Sequence, residues 1–253
     1  MAKLAILVGH TEHQQGAKAV APIQAHEYSW NRDLAAKMVD AADQIIDFEV
    51  EVFLRDHGGL RGAFEKIHQW GADASIELHF NSASSNATGT ETLYQTDVSK
   101  AFAQKVHAAT VKVLQLRDRG VKTPLAASGG RGEQNLKQMG FRPSILTEPF
   151  FGSNAEDAKR AHRKKTELAH AQLKAAASYL IKPFDNDDDK VWTVTAASLN
   201  VRGGPGTSFE ALSWGPLKAG DEVRLISRDN SWRFIQFGDN DTQRGFVFGS
   251  FLK

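Results

Sequence analysis

The sequence predicts an α/β fold, a mixed and mostly parallel sheet flanked by helices, followed by a small all-β barrel. Three observations carry this. Up to residue 181, apolar runs of strand length alternate with stretches of helical periodicity, the pattern of a sheet covered by helices on both sides. Lys182–Lys190 then breaks the pattern with Pro183 and a run of acids, the composition of a linker. Beyond it come only short strands punctuated by Gly-Gly-Pro-Gly and Asp-Asn turns, with no helix signal. The expected organisation is therefore a domain over 1–181, a linker over 182–190 and a barrel over 191–253.

Leu4 to Val8 is a continuous apolar run ended by Gly9, as expected for a strand buried on both faces of a parallel sheet, and it delivers His10 at its carboxyl end. A polar loop follows, and a helix opens near His26. Tyr28, Leu34, Ala35 and Met38 form its apolar stripe, and Glu27 lies in the first turn, where an acid compensates the helix dipole. Val50 to Leu54 is the next strand, and Leu60 to Trp70 is helical in pattern, with Phe64, Ile67 and His68 at helical spacing. In Ser75–Asn81, Ile76, Leu78 and Phe80 alternate with Ser75, Glu77, His79 and Asn81, so His79 closes a strand on the face opposite the apolar set. In open α/β sheets, sites are built at the carboxyl ends of strands.

Gly89 to Tyr94 is a further strand, and Val98 to Leu116 an amphipathic helix that stops at Arg117-Asp-Arg-Gly120. Thr123 to Glu133 is small, polar and Gly-rich, which predicts a mobile loop beside the site. Ser144 to Glu148 is a short strand ending in an acid, and Glu156 to Ile181 one long helix. The basic stretch Lys159 to Lys165 reads as a solvated face. In the last domain Leu199, Val201, Val223, Trp232 and Val247 are core candidates, while Trp214 and Phe248 are candidates for exposed aromatics on a binding groove.

Composition narrows the function classes. The chain has 253 residues, enough to bury a substantial core, and a formal net charge of +1, which gives no field directed at nucleic acid or an anionic membrane. There is no cysteine, so any metal must be held by His and carboxylates. The only apolar run near the start is five residues long, too short for an export signal of the conventional kind or for a membrane span.

Three strand ends or strand–helix junctions present His10, Glu27 and His79, and a fourth presents Glu148. Two imidazoles and one carboxylate suit a catalytic Zn2+ with a fourth position open to water. Such an ion acidifies its water and polarises a carbonyl, and a separate carboxylate can move the proton. The spacing is too wide for a local motif, and Glu12, His13 and His26 are rival ligands.

The order and spacing of several short segments resemble the zinc-dependent N-acetylmuramoyl-L-alanine amidases of the Amidase_3 family. They are Gly9-His10 with Gly16-Ala17, Glu27 with Asn31, Leu54-Arg55, Arg61, Gly71-Ala-Asp, and Ser75–Asn81. Gly89 with Glu91, Arg119-Gly-Val-Lys122, Pro143–Glu148 and Gly152-Ser-Asn154 complete the series. The resemblance implies that His10, Glu27 and His79 bind zinc, that Glu148 is the catalytic base, and that the substrate is peptidoglycan. Three departures stand out: Leu7-Val8 precede Gly-His where the family has Asp-Pro, Thr11-Glu12 follow it, and Phe80 separates His79 from Asn81. Leu199–Thr207, Leu217–Val223, Ser231-Trp232, Gly245-Phe-Val and Phe251-Leu resemble a bacterial SH3-like (SH3b) wall-binding module. Together these imply an enzyme that cuts the bond between N-acetylmuramic acid and L-alanine; with no conventional export signal seen, the expectation is a phage or prophage endolysin, held in a host cytoplasm until release to the cell wall, or a protein secreted by a non-classical route. A zinc peptidase of the stem peptide or cross-bridge, and a catalytically silent wall-binding protein, are the competing expectations.

Overall fold

A computed structural model describes residues 2–43, 45, 48–130, 132–140, 142–181, 191–229, 231–238 and 243–253. The chain forms two compact units, Met1–Ile181 and Lys182–Lys253. The expected linker, 182–190, lies outside the described residues.

The first unit is built on a six-stranded sheet: β1 (Ala2–Val8), β2 (Phe48–Phe53), β3 (Ala74–Leu78), β4 (Thr90–Tyr94), β5 (Asp118–Lys122) and β6 (Ser144–Glu148), in the spatial order β2-β1-β3-β6-β4-β5. β2, β1, β3 and β6 run parallel to one another; β4 is antiparallel to β6 and parallel to β5. The sheet is thus mixed and mostly parallel, as the alternation of strand and helix signals predicts. Its helices are α1 (Glu27–Ala42), α2 (Gly59–Trp70), α3 (Asp97–Leu114), α4 (Pro124–Ser128), α5 (Glu133–Lys137), α6 (Ala155–Arg163) and α7 (Lys165–Leu180).

β1 shows why its sequence is apolar throughout. Leu4, Ile6 and Val8 pack on one face with Leu34 and Met38 of α1, Phe102 and Val106 of α3, and Leu168 and Leu173 of α7. Ala5 and Leu7 pack on the other with Ala63, Phe64 and Ile67 of α2. A strand with helices on both sides has no solvent face to fill with polar residues. α4 and α5 lie over β4 and β6, where Ala127, Leu136, Leu93 and Leu146 form a small cluster. Helix ends follow local chemistry: the Thr96 hydroxyl accepts from Ser99 N at the start of α3, and Asn154 Oδ1 accepts from Glu156 N and Asp157 N at the start of α6.

Four expectations need correction. Residues after Arg117 form the edge strand β5 rather than only a stop. The stretch expected as a loop from Thr123 holds α4 and α5, the latter running past it to Lys137. The expected long helix from Glu156 is two helices separated at Lys164. The basic stretch is also not simply solvated. Arg160 donates to the carbonyls of Leu114 and Gln115 at the carboxyl end of α3, and Lys165 Nζ lies 2.6 Å from Asp33 and 4.4 Å from the centre of the Trp30 ring. Those cations are used for capping and ion pairing.

The second unit is a four-stranded antiparallel sheet, β7 (Val191–Thr193), β8 (Glu222–Asp229), β9 (Trp232–Phe237) and β10 (Gln243–Phe248), in the order β10-β9-β8-β7, with a short 3-10 turn at Gly249–Phe251. Bridges Leu199–Leu217, Arg202–Phe246 and Val194–Leu252 tie in the intervening chain. Leu199, Val201, Val223 and Val247 are in its core. Trp232 is not; it is partly exposed and packs edge-on against Phe248 at 5.5 Å. Trp214 and Phe248, the two candidate aromatics, are exposed, and so are Phe209 and Phe251.

Candidate active site

The site forms where β1, β3 and β6, three neighbouring parallel strands, end on one edge of the sheet. Val8 leads through Gly9 to His10, Leu78 leads to His79, and β6 ends at Glu148. Because β4 runs the other way, its first residues return to this edge, and Glu91 pairs across the ladder with Glu148. α1 begins here as well and contributes Glu27 from its first turn. His10, Glu27, His79 and Glu148 line one cavity of about 530 Å3, together with Glu91 and Arg119.

Glu27 is the hub. Its Oε2 lies 3.0 Å from His10 Nε2 and accepts from Ala17 N at 3.1 Å. Its Oε1 lies 3.2 Å from His79 Nδ1 and accepts from Phe80 N at 3.1 Å. The two imidazole rings meet edge-on, with centroids 4.9 Å apart. Burial alone would raise the Glu27 carboxyl, but hydrogen bonds from His10 and His79 hold it down to about 2. Burial would likewise lower His79, yet its hydrogen bonds to Glu27 and Glu77 raise it well above the usual histidine range.

One donor atom from each of His10, Glu27 and His79 lies within 4.8 Å of the other two. The donors are two imidazole nitrogens and a carboxylate oxygen, the set that suits zinc with one position left open. The backbone is shaped around them. A Cβ at Gly9 would stand 2.3 Å from His79 Nε2, and one at Gly16 would stand 2.6 Å from both Glu27 Oε2 and His10 Nε2. His10 itself holds φ = 66°, in the left-handed region that costs a non-glycine residue of order 1–3 kcal/mol. The residues present fit a metal ion.

The rival ligands fall elsewhere. Glu12 and His13 are exposed, and Glu12 N is tied to Asp56. His26 turns Nδ1 to the carbonyl of Gly16 at 3.1 Å. Phe80 directs its ring into the core against Trp30 and Phe150.

Glu148 stands apart from the cluster. Its Oε2 is buried without a hydrogen-bond partner among the described residues. Burial pushes the carboxyl up to about 8; the positive charge of His79 opposes this, and the negative charges of Glu27, Glu91 and Glu77 add to it. Glu91 has the opposite setting. Lys122 Nζ and Arg119 Nε each lie 2.8 Å from its Oε2, and Asn81 Nδ2 lies 2.7 Å from Oε1. Burial would raise this carboxyl too, but those two cations keep it below the usual range.

Glu77 was legible in the sequence only as an alternating polar position, and the structure makes it part of the site. It is 3% exposed and ringed by Arg55, His79 and Asn135. Burial would raise its carboxyl, but the hydrogen bond and charge of His79, with Arg55 and Asn135, hold it low. The available signal was its spacing: an acid two residues before a site histidine on one strand shares that histidine's face.

Fold and site thus define a class: an α/β domain that gathers two histidines and a carboxylate, a set that could hold a metal ion, and a buried acid in one cavity. Its family is shown by comparison. Residues 4–178 match the N-acetylmuramoyl-L-alanine amidase family, and the chain belongs to it. Residues 197–253 match the bacterial SH3 domain. Among solved structures, the catalytic domain of CwlV, an N-acetylmuramoyl-L-alanine amidase from Bacillus (Paenibacillus) polymyxa var. colistinus, is 26% identical with a TM-score of 0.62, over 72% of this chain and 99% of that one. An N-acetylmuramoyl-L-alanine amidase from Clostridium difficile 630 shares the fold at 23% identity and a TM-score of 0.59, over 72% of this chain and 98% of that one. An uncharacterized cell wall amidase of Bacillus anthracis is 31% identical over 42% of this chain and 20% of its own length. The uncharacterized protein YqiI of Bacillus subtilis is 33% identical over 35% of this chain and 41% of its own. The match thus spans less than half of either relative.

Proposed function

We propose that this chain is a zinc-dependent peptidoglycan amidase that cleaves the amide between the lactyl group of N-acetylmuramic acid and the L-alanine of the stem peptide. In this reading residues 1–181 are catalytic and residues 191–253 bind the wall, joined by 182–190. The observation that carries it is one cavity, in a chain of the amidase family, holding both the His10–Glu27–His79 cluster and Glu148, whose buried Oε2 has no hydrogen-bond partner among the described residues.

His10, Glu27 and His79 would hold the ion. When bound, zinc supplies a Lewis acid that polarises the scissile carbonyl and acidifies water. Glu148 accepts the proton of the attacking water and delivers it to the alanine nitrogen as the C–N bond breaks and the C–O bond forms. The products are a muramyl carboxylate and a stem peptide with a free amino end. A carboxyl raised towards neutrality by burial is matched to both halves of that relay. Glu27 and the backbone N–H groups of Ala17 and Phe80 fix the cluster against the sheet. The exposed Trp214, Phe248 and Phe251 of the second unit are the surface we assign to the wall. Tethering keeps the catalytic unit at high local concentration there. A hydrolase unit and a wall-binding unit in one chain suit an endolysin of a phage or prophage.

The test is digestion of purified peptidoglycan by the wild-type chain and by Glu148→Ala, each with and without a strong chelator, with mass spectrometry of the products. Intact stem peptides with a free L-alanine amino end, lost on chelation and on substitution, are the expected result. Cuts within the peptides would make the enzyme a zinc peptidase. Wall binding without release would make it a binding protein.

A further inference from the structure

His79 has two ring nitrogens, and each faces a carboxylate: Nδ1 lies 3.2 Å from Glu27 Oε1, and Nε2 lies 3.0 Å from Glu77 Oε1. Only one nitrogen can serve a metal. The Nε2 side is closed. Gly9 packs so tightly against it that a Cβ there would stand 2.3 Å from Nε2. Glu77 behind it already accepts from two other side chains: Arg55 Nη1 at 3.0 Å on Oε1, and Asn135 Nδ2 at 2.8 Å from both oxygens. A cation placed there would meet the guanidinium of Arg55. The Nδ1 side opens on His10 and Glu27.

We infer that Glu77 is a positioning residue: held by Arg55 from the loop after β2 and by Asn135 from α5, it takes the Nε2–H of His79 and thereby presents Nδ1 as the metal-binding atom. An ionised carboxylate only accepts hydrogen bonds, so its partner nitrogen must carry the proton, and the lone pair is left on the other side of the ring. Carboxylates behind metal-binding histidines fix ring orientation and raise ligand basicity, and their loss costs about 10- to 100-fold in metal affinity. The strand period puts Glu77 and His79 on one face, and the register across β1, β3 and β6, with Leu7 and Leu146 as its neighbours, buries the acid. The alternative is a purely structural ion pair in which Arg55 ties β2 to β3.

This inference rests on the metal site proposed above, and the experiment separates the two. Zinc affinity of the full chain is measured by competition with a chromophoric chelator for wild type, Glu77→Gln and Asn135→Ser. Unfolding of each metal-free protein is followed in parallel. The ring nitrogens of His79 are assigned by 15N NMR in the zinc-loaded wild type. The expected results are metallated Nδ1 with a protonated Nε2, a 10- to 100-fold weaker affinity for Glu77→Gln, and a smaller loss in the same direction for Asn135→Ser. Metallated Nε2, or affinities within twofold of wild type while metal-free stability falls, would leave Glu77 structural and overturn the inference alone. Should Glu77→Gln fail to fold, Asn135→Ser decides by the same criterion. A wild-type chain that binds no zinc, or binds it as well without His10 and Glu27, would overturn the metal site itself.

Discussion

Replacing Glu148 with Gln should make the metal-free protein more stable while removing its activity. The wild-type carboxyl titrates at about 8 in the fold against an ordinary value of 4.5, because burial disfavours its charged form. The sign follows from linkage. Between those values the unfolded chain has lost the proton and the folded chain keeps it, so stability falls as pH rises through that window. Each pH unit costs about 1.4 kcal/mol, which amounts to roughly 3 kcal/mol at pH 7. Glutamine fills the same space without that cost. Urea unfolding followed by the far-UV helical signal, which arises from the first unit, should show Glu148→Gln more stable by about 3 kcal/mol at pH 7. The difference should vanish near pH 4, where the acid is protonated in both states. Activity should drop about 10²- to 10⁴-fold, the usual contribution of a general base. A stability difference that is flat from pH 4 to 7.5 would refute the buried-carboxyl reasoning, and retained activity would refute the role.

Three further outcomes follow from named contacts. Stripping metal with a chelator should lower the unfolding temperature of the first unit and restoring Zn2+ should reverse it, a linkage of about 2.7 kcal/mol at a hundredfold excess over Kd; calorimetry with His10→Ala, which should show no zinc response, is the check. Glu91→Gln removes the negative charge shared by Arg119 and Lys122, and should destabilise by about 1–3 kcal/mol at pH 7, given that both cations are partly exposed. Because the Glu91 carboxyl is depressed in the fold, that deficit should hold above the ordinary glutamate range near 4.3 and fade as pH falls below it, measured by urea midpoints across pH. Gly152→Ala would put a Cβ 2.4 Å from the Phe80 ring, an overpacking cost of about 1–3 kcal/mol, which thermal unfolding alone and combined with Phe80→Leu would resolve.

Much of the site could be read from sequence because its residues close elements with strong signals. Leu4–Val8 and Ser144–Glu148 carry enough apolar character to be strands on any reading, and the alternation ending at His79 fixes a third. What escaped lies where the signal is weak for physical reasons. β5, Asp118-Arg-Gly-Val-Lys122, pairs on one side only and stays mostly in partial contact with solvent, so nothing selects an apolar sequence. α4 and α5 are five residues each, too short for a helical period to show. The break at Lys164 has no Gly or Pro to mark it. Glu77 looks like a solvent-facing residue until β1 and β6 flank β3 and Asn135 arrives from α5. A single sequence does not show which polar residue a neighbouring element will cover.

The strand order has a consequence for how the enzyme is made. β6 is the last strand of the sheet to be synthesised, yet it sits between β3 and β4 and, among the described residues, is the only strand that hydrogen-bonds to both. Until residue 148 has left the ribosome, the β1–β3 and β4–β5 portions have no shared ladder, and the nascent chain lacks Glu148 beside the His10–Glu27–His79 cluster. The ladder that joins the two portions, and with it the approach of Glu91 to Glu148, is thus completed only with the central strand.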